Sequence, residues 1–179
     1  VEPLNEEATL ALRHEGLRGA SLWLAEDAGF ALVQDELLNL VVDPVSRGRG
    51  VATALLNNVV NARDTSLHAW SHVDHPAAGA LARAYDFDRV RDLWVMGRAL
   101  APGSSGSAAL RTFEADNLAA IVRINARAFA WHPEQGRLTK ADFQRRMSEA
   151  WFDPSGLIVA LVDGEIAGFH WTKIHPDQI

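Results

Sequence analysis

Arg47-Gly48-Arg49-Gly50-Val51-Ala52 follows the apolar run Leu37-Leu38-Asn39-Leu40-Val41-Val42 after only four residues. The order reads as a buried strand, a glycine-bearing loop and a helix from Val51 to about Ala62. Ala52, Leu55, Leu56, Val59 and Val60 fall on one face of that helix. A helix start leaves several backbone N–H groups without intrahelical partners and carries the positive end of the dipole. Glycines let a ligand approach such a backbone closely, and Arg47 and Arg49 add fixed positive charge. The chemistry this predicts is capture of a phosphate or pyrophosphate. An ordinary glycine-rich turn with exposed arginines is the competing reading.

The rest of the composition frames that loop. The chain has 179 residues, of which 48% are hydrophobic, and a net charge of −6. That is enough for one ordinary domain or two small ones with packed cores. The acidic balance argues against a general nucleic-acid surface, so the basic loop reads as a local anion site. With no cysteine, disulfides, thiolate metal sites and a cysteine nucleophile are excluded, which fits a reducing cytoplasm. The seven histidines are scattered, without metal-site spacing. There is no signal-type segment and no apolar run near about 20 residues, so neither secretion nor membrane insertion is expected.

The elements that must hold the loop can be read from periodicity and punctuation. Ala101-Pro102-Gly103-Ser104-Ser105-Gly106-Ser107 has linker composition and separates residues 1–100 from 108–179. The first part predicts a helix over Leu4–His14 with Asn5 as N-cap, then strands at Ser21–Ala25, Phe30–Val33 and 37–42. The helix from Val51, a strand at Ser66–Val73, a helix from Pro76 to about Tyr85 and closing strands within Arg89–Leu100 complete it. The second part predicts a strand at Leu110–Phe113 and helices at Asn117–Ala128 and Lys140–Ala150, the latter capped by Thr139. Strands at Leu157–Val162 and Ile166–Lys173 flank the turn Asp163-Gly164-Glu165. The fold class is α/β (or α+β), a mixed sheet flanked by helices. The helix–strand–strand order that opens the first part also closes the second, which indicates an internal repeat.

Arg47, Gly50 and Ala52 occupy the defining places of the Gln/Arg-x-x-Gly-x-Gly/Ala pattern, after a strand and before a helix. In this the chain resembles the GNAT acetyltransferase superfamily. Three long strings narrow the resemblance. They are Ala128-Phe129-Ala130-Trp131-His132-Pro133-Glu134-Gln135-Gly136, Glu149-Ala150-Trp151-Phe152-Asp153-Pro154, and Gly168-Phe169-His170-Trp171-Thr172-Lys173-Ile174-His175-Pro176. Together they resemble the mycothiol synthase family, whose members carry two tandem GNAT units. The resemblance implies a GNAT fold with one nearly complete unit and the first half of a second. It also implies that the second unit's own CoA loop, base and tyrosine acid fall beyond Ile179. The activity implied is acetyl transfer from acetyl-CoA to the cysteinyl amine of a cysteine–glucosamine–inositol conjugate, by direct transfer.

Residue roles come with the resemblance. Backbone groups of Leu40, Val41 and Val42 are expected to pair with the pantetheine amides of CoA. Arg47, Gly48, Arg49, Gly50, Val51, Ala52 and Thr53 are expected to wrap the pyrophosphate. Glu36, eleven residues ahead of Arg47, takes the place of the general base, expected on the strand. Its other reading is a solvated acid. The family's acid tyrosine falls near Ala82, which cannot donate a proton, and Tyr85 lies one turn on. For the acceptor the resemblance points to Glu6, Glu134 and Lys173. No metal, nucleic-acid or membrane partner is expected, and no oligomeric state is assigned. A non-catalytic CoA-binding module and a GNAT enzyme with another small amine acceptor are the alternatives.

Overall fold

The computed structural model describes residues 4–71, 73–94, 96, 97, 99, 108–132 and 135–174. They form two compact units, Val1–Met96 and Gly97–Ile179. The expected linker at 101–107 lies outside the described residues.

The first unit runs α1 (Glu6–Glu15), β1 (Ala20–Ala25), β2 (Gly29–Gln34), β3 (Leu37–Val42), α2 (Val51–Asn61), β4 (His68–Ala69) and α3 (Pro76–Ala84). Asn5 caps α1 by accepting from the Ala8 N–H at 2.8 Å, which satisfies one of the orphan donors of the first turn. The sheet order is β1-β2-β3-β4. β1–β2 and β2–β3 are antiparallel, and β3–β4 is parallel. Leu55, Leu56 and Val59 of α2 form the core with Ala31, Val33 and Leu38. Each fully buried Leu or Val side chain contributes about 1.5–3 kcal/mol. Gly29 is required where β2 meets β3, because a Cβ there would stand 2.3 Å from the Val41 carbonyl oxygen.

The second unit runs β5 (Ala109–Thr112), α4 (Leu118–Ala128), α5 (Lys140–Met147), β6 (Leu157–Val162) and β7 (Glu165–Trp171). Its sheet is β5-β6-β7, antiparallel throughout. Phe113, Leu118, Ile121, Phe143, Leu157 and Val159 make a separate core. Thr139 and Asp142 form a capping box at α5. Asp163 and Gly164, with φ of +51° and +82°, make the two-residue turn whose twist suits a hairpin. The order α5–β6–β7 repeats that of α1–β1–β2. No helix among the described residues is long and apolar enough to cross a membrane.

Three expectations need correction. The strand at Ser66–Val73 shrinks to His68–Ala69, both exposed, which pair only with Leu37 and Leu38. The closing strands within Arg89–Leu100 are absent among the described residues of that stretch. Val90, Leu93, Trp94 and Met96 there are 76–89% exposed, because no ladder or core among the described residues takes them. The last helix ends at Met147 rather than Ala150. The chain leaves the helix at Ser148, whose hydroxyl donates to the Arg145 carbonyl at 2.7 Å.

Candidate functional site

β3 is the strand on which the site is built. One edge pairs with β2 along its whole length, from Leu37 to Val42. The other edge meets β4 only at Leu37 and Leu38. From Asn39 to Val42 that edge has no strand neighbour among the described residues. A row of backbone donors and acceptors is thus left facing outward, as on any strand edge. Asn39 adds a buried side chain, 8% exposed, whose amide Nδ2 has no hydrogen-bond partner among the described residues. The sequence reading passed over this residue, which looks there like an interruption in an apolar run.

The strand feeds the loop through a tight turn. The Asp43 side chain accepts from the Val45 N–H at 2.9 Å and caps a 3-10 turn over Pro44–Ser46. Arg47 then folds back, its Nε donating to the Val42 carbonyl at 3.3 Å. Gly48 and Gly50 take left-handed φ of +74° and +80°, where a side chain would be strained. A Cβ at either would meet nothing within 4 Å, so the space above the loop is open. Gly50 is the N-cap of α2 and offers no side-chain cap. The first helical bond at that end runs from the Ala54 N–H to the Gly50 carbonyl at 2.9 Å. The N–H groups of Val51, Ala52 and Thr53 precede it, which leaves them as donors for an anion. The sequence-predicted residues Leu40, Val41, Val42 and Arg47 to Thr53 therefore lie along one strand end, one loop and one helix start. Open space, uncapped donors and two arginines fit a pyrophosphate.

Glu36 lies elsewhere, and its expected place on the strand is corrected. Asp35 and Glu36 form the two-residue turn between β2 and β3, with φ of +44° and +68°. The Glu36 carbonyl accepts from the His68 N–H at 2.8 Å. The six residues of β3 put about 20 Å between Glu36 and the loop. Ala82 lies within α3. The hydroxyl of Tyr85 is 2.6 Å from Asn57 Oδ1 and 3.2 Å from the Thr53 carbonyl oxygen, which ties the end of α3 to the first turns of α2.

The expected acceptor residues are spread over both units. Glu6 stands in the first turn of α1. Glu134 lies outside the described residues. Lys173 sits two residues past the end of β7, with its Nζ 4.6 Å from the centroid of the Trp151 ring. Among the described residues no group of three or more metal-ligating side chains gathers.

A four-stranded mixed sheet flanked by helices, with a strand–loop–helix junction running from its open β3 edge into α2, fits a GNAT-like unit. No protein-family model matches the chain. Curated relatives do. The chain is 46% identical to a mycothiol acetyltransferase of a Nocardioides species, over 97% of this chain and 63% of that protein. It is 44% identical to the mycothiol acetyltransferase of Thermobispora bispora, over 98% of this chain and 64% of the relative. The corresponding enzyme of Clavibacter sepedonicus is 42% identical over 99% of this chain and 64% of its own length. By sequence the chain is a homologue of the mycothiol acetyltransferases along nearly its whole length, and it spans just under two thirds of theirs.

Proposed function

We propose that this chain serves an acetyl-CoA-dependent N-acetyltransferase that acetylates the cysteinyl amine of a cysteine–glucosamine–inositol conjugate, completing mycothiol. The observation that carries the reading is the β3 edge, open from Asn39 to Val42 and running straight into uncapped helix N–H groups. Main-chain pairing along the edge suits the amides of a pantetheine arm. The Arg47–Thr53 loop suits its pyrophosphate. The names borne by the relatives point to the same chemistry.

Acetyl-CoA supplies the activated acetyl thioester. In the overall transfer the carbon–sulfur bond breaks and a carbon–nitrogen bond forms. The amine must shed a proton, and the departing thiolate gains one. Glu36 is the carboxylate assigned to the first proton, directly or through water. Glu6 in the first unit, and Glu134 and Lys173 in the second, are each separate candidates for contacts with an acceptor's charged and hydroxyl groups.

A second reading is a unit that holds CoA without catalysing transfer. Ala82 at the tyrosine position favours it, as does the engagement of the Tyr85 hydroxyl by Asn57 and Thr53. Calorimetry with CoA and acetyl-CoA, followed by an acetyl-transfer assay over a panel of amines, separates them. Turnover selects the enzyme, and the preferred amine names the acceptor. Binding without turnover selects the holding unit, and no binding overturns both. Replacing Gly50 forces a side chain into a left-handed backbone at the anion site. Gly50→Trp is expected to weaken CoA binding by about tenfold or more, roughly 1.4 kcal/mol, with the far-UV spectrum unchanged. An unaltered dissociation constant would refute the loop assignment.

A further inference from the structure

Asn39 sits where the neighbouring strand runs out. β4 pairs with Leu37 and Leu38 and stops, so Asn39 is the first residue of β3 whose outer edge has no strand neighbour among the described residues. On the inner side its partner in β2 is Leu32, itself 1% exposed. Ala31, Val33 and Leu38 belong to the core built with α2. Side chains alternate between the two faces of a sheet, which puts Asn39 and Leu32 on the face turned away from α2. There the Asn39 side chain is buried, and its Nδ2 finds no hydrogen-bond partner among the described residues.

A buried amide without a partner is uncommon, because it gives up hydrogen bonds to water and gains none. Leucine has nearly the same shape and would fill the position without that loss. The donor therefore calls for a partner from outside the chain, and the open edge is the place to seat one. A group lying along Asn39–Val42 takes the position of the next strand. Side chains in such cross-strand positions stand about 4.5–5.5 Å apart at Cβ, close enough to hydrogen-bond. The pantetheine arm assigned to this edge enters at the Val42 end, where the anion loop begins. Asn39 lies three residues further up the strand, about 10 Å away. With the pyrophosphate held at the loop, the end that reaches Asn39 is the sulfur and its acyl group. A thioester carbonyl oxygen accepts a hydrogen bond, whereas a free thiol is a weak acceptor.

We propose that Asn39 distinguishes the acylated carrier from the free one, its Nδ2 donating to the carbonyl oxygen of the acyl thioester. This rests on the reading of the β3 edge and the Arg47–Thr53 loop as a CoA site, and the test keeps the two apart. When the acyl group is transferred, that hydrogen bond goes with it, so the spent carrier is held less tightly than the charged one. Calorimetry on the 179-residue chain with acetyl-CoA and with CoA reads the difference. The wild type is expected to bind acetyl-CoA about five- to tenfold more tightly than CoA, the scale of one hydrogen bond. Asn39→Leu and Asn39→Val, which carry no donor, are expected to bind both ligands alike, at the wild-type affinity for CoA. Without ligand, Asn39→Leu is expected to melt about 4 °C or more above the wild type, because an unmet donor no longer opposes folding. Saturating acetyl-CoA narrows that gap.

No binding of either ligand to the wild type overturns the CoA reading and the proposal with it. Equal wild-type affinity for the two ligands overturns the proposal alone. So does a preference for acetyl-CoA that survives in both variants, or an equal weakening of both ligands, which would set the amide against the pantetheine arm instead. Melting of both variants below the wild type would make the amide a support of the fold and overturn the proposal as well.

Discussion

Glu36 stands where two demands meet. The turn between β2 and β3 needs left-handed backbone at both of its central residues, and Asp35 and Glu36 supply it at φ of +44° and +68°. Glycine or asparagine is the usual choice there, since other side chains are strained at roughly 1 kcal/mol or more. Glu36→Gly is therefore expected to raise stability by about 0.5–1 kcal/mol in urea denaturation, after the loss of chain entropy is set against the relief of strain. Glu36→Gln leaves the strain in place and removes the base. If Glu36 takes the amine's proton, both variants lose most acetyl transfer while only the glycine variant gains stability. Full turnover by Glu36→Gln would remove Glu36 from the mechanism. The sequence hid this geometry because Asp35-Glu36 lacks the Asn-Gly or Asp-Gly signature that marks the β6–β7 turn at Asp163-Gly164. The loop at Arg47–Ala52 was easier to read, because glycines and arginines announce both its backbone and its charge.

Among the elements, α5 carries the sharpest prediction. Burial pushes the Asp142 carboxyl up, but hydrogen bonds from the Thr139 hydroxyl and N–H and the ion pair with Arg145 outweigh it. The carboxyl is thus held below its ordinary value. A carboxyl depressed in the folded state adds stability above its unfolded pKa of about 3.9. That contribution fades as pH falls through that value toward the folded one. Denaturation followed from pH 6 to pH 3 should show this loss in the wild type, with Asp142→Asn lacking that part of the slope. Identical slopes would remove the capping box from the account of acid stability. This helix start was legible because Thr139 and Asp142 are local neighbours in the chain. The Asn5 cap of α1 and the apolar periodicities of α2, β2, β3 and β6 were legible for the same reason. β4 was not, because a strand's length depends on how much partner backbone lies beside it, and Leu37 and Leu38 supply only two positions. The run from Arg89 shows the limit more plainly. Its apolar residues read as one or two closing strands, yet Val90, Leu93 and Trp94 stand exposed.

At the scale of the whole molecule, a net charge of −6 favours dispersal in water, while two features oppose it. One is the set of exposed apolar side chains Val90, Leu93, Trp94 and Met96. The other is β3, whose edge from Asn39 to Val42 has no strand neighbour among the described residues and is a template for a strand from a second chain. A pantetheine arm lying along Asn39–Val42 would occupy the same donors and acceptors. The ligand would then act as an edge guard as well as a reactant, competing with strand addition for one set of hydrogen bonds. Light scattering on gentle heating is expected to rise later with saturating CoA than without it, by more than in the Gly50→Trp variant under the same conditions. Equal delay in both proteins would mean that the effect does not come from this edge. If CoA guards this edge, a cell carrying such a chain would find the protein's solubility tied to its acyl-carrier supply.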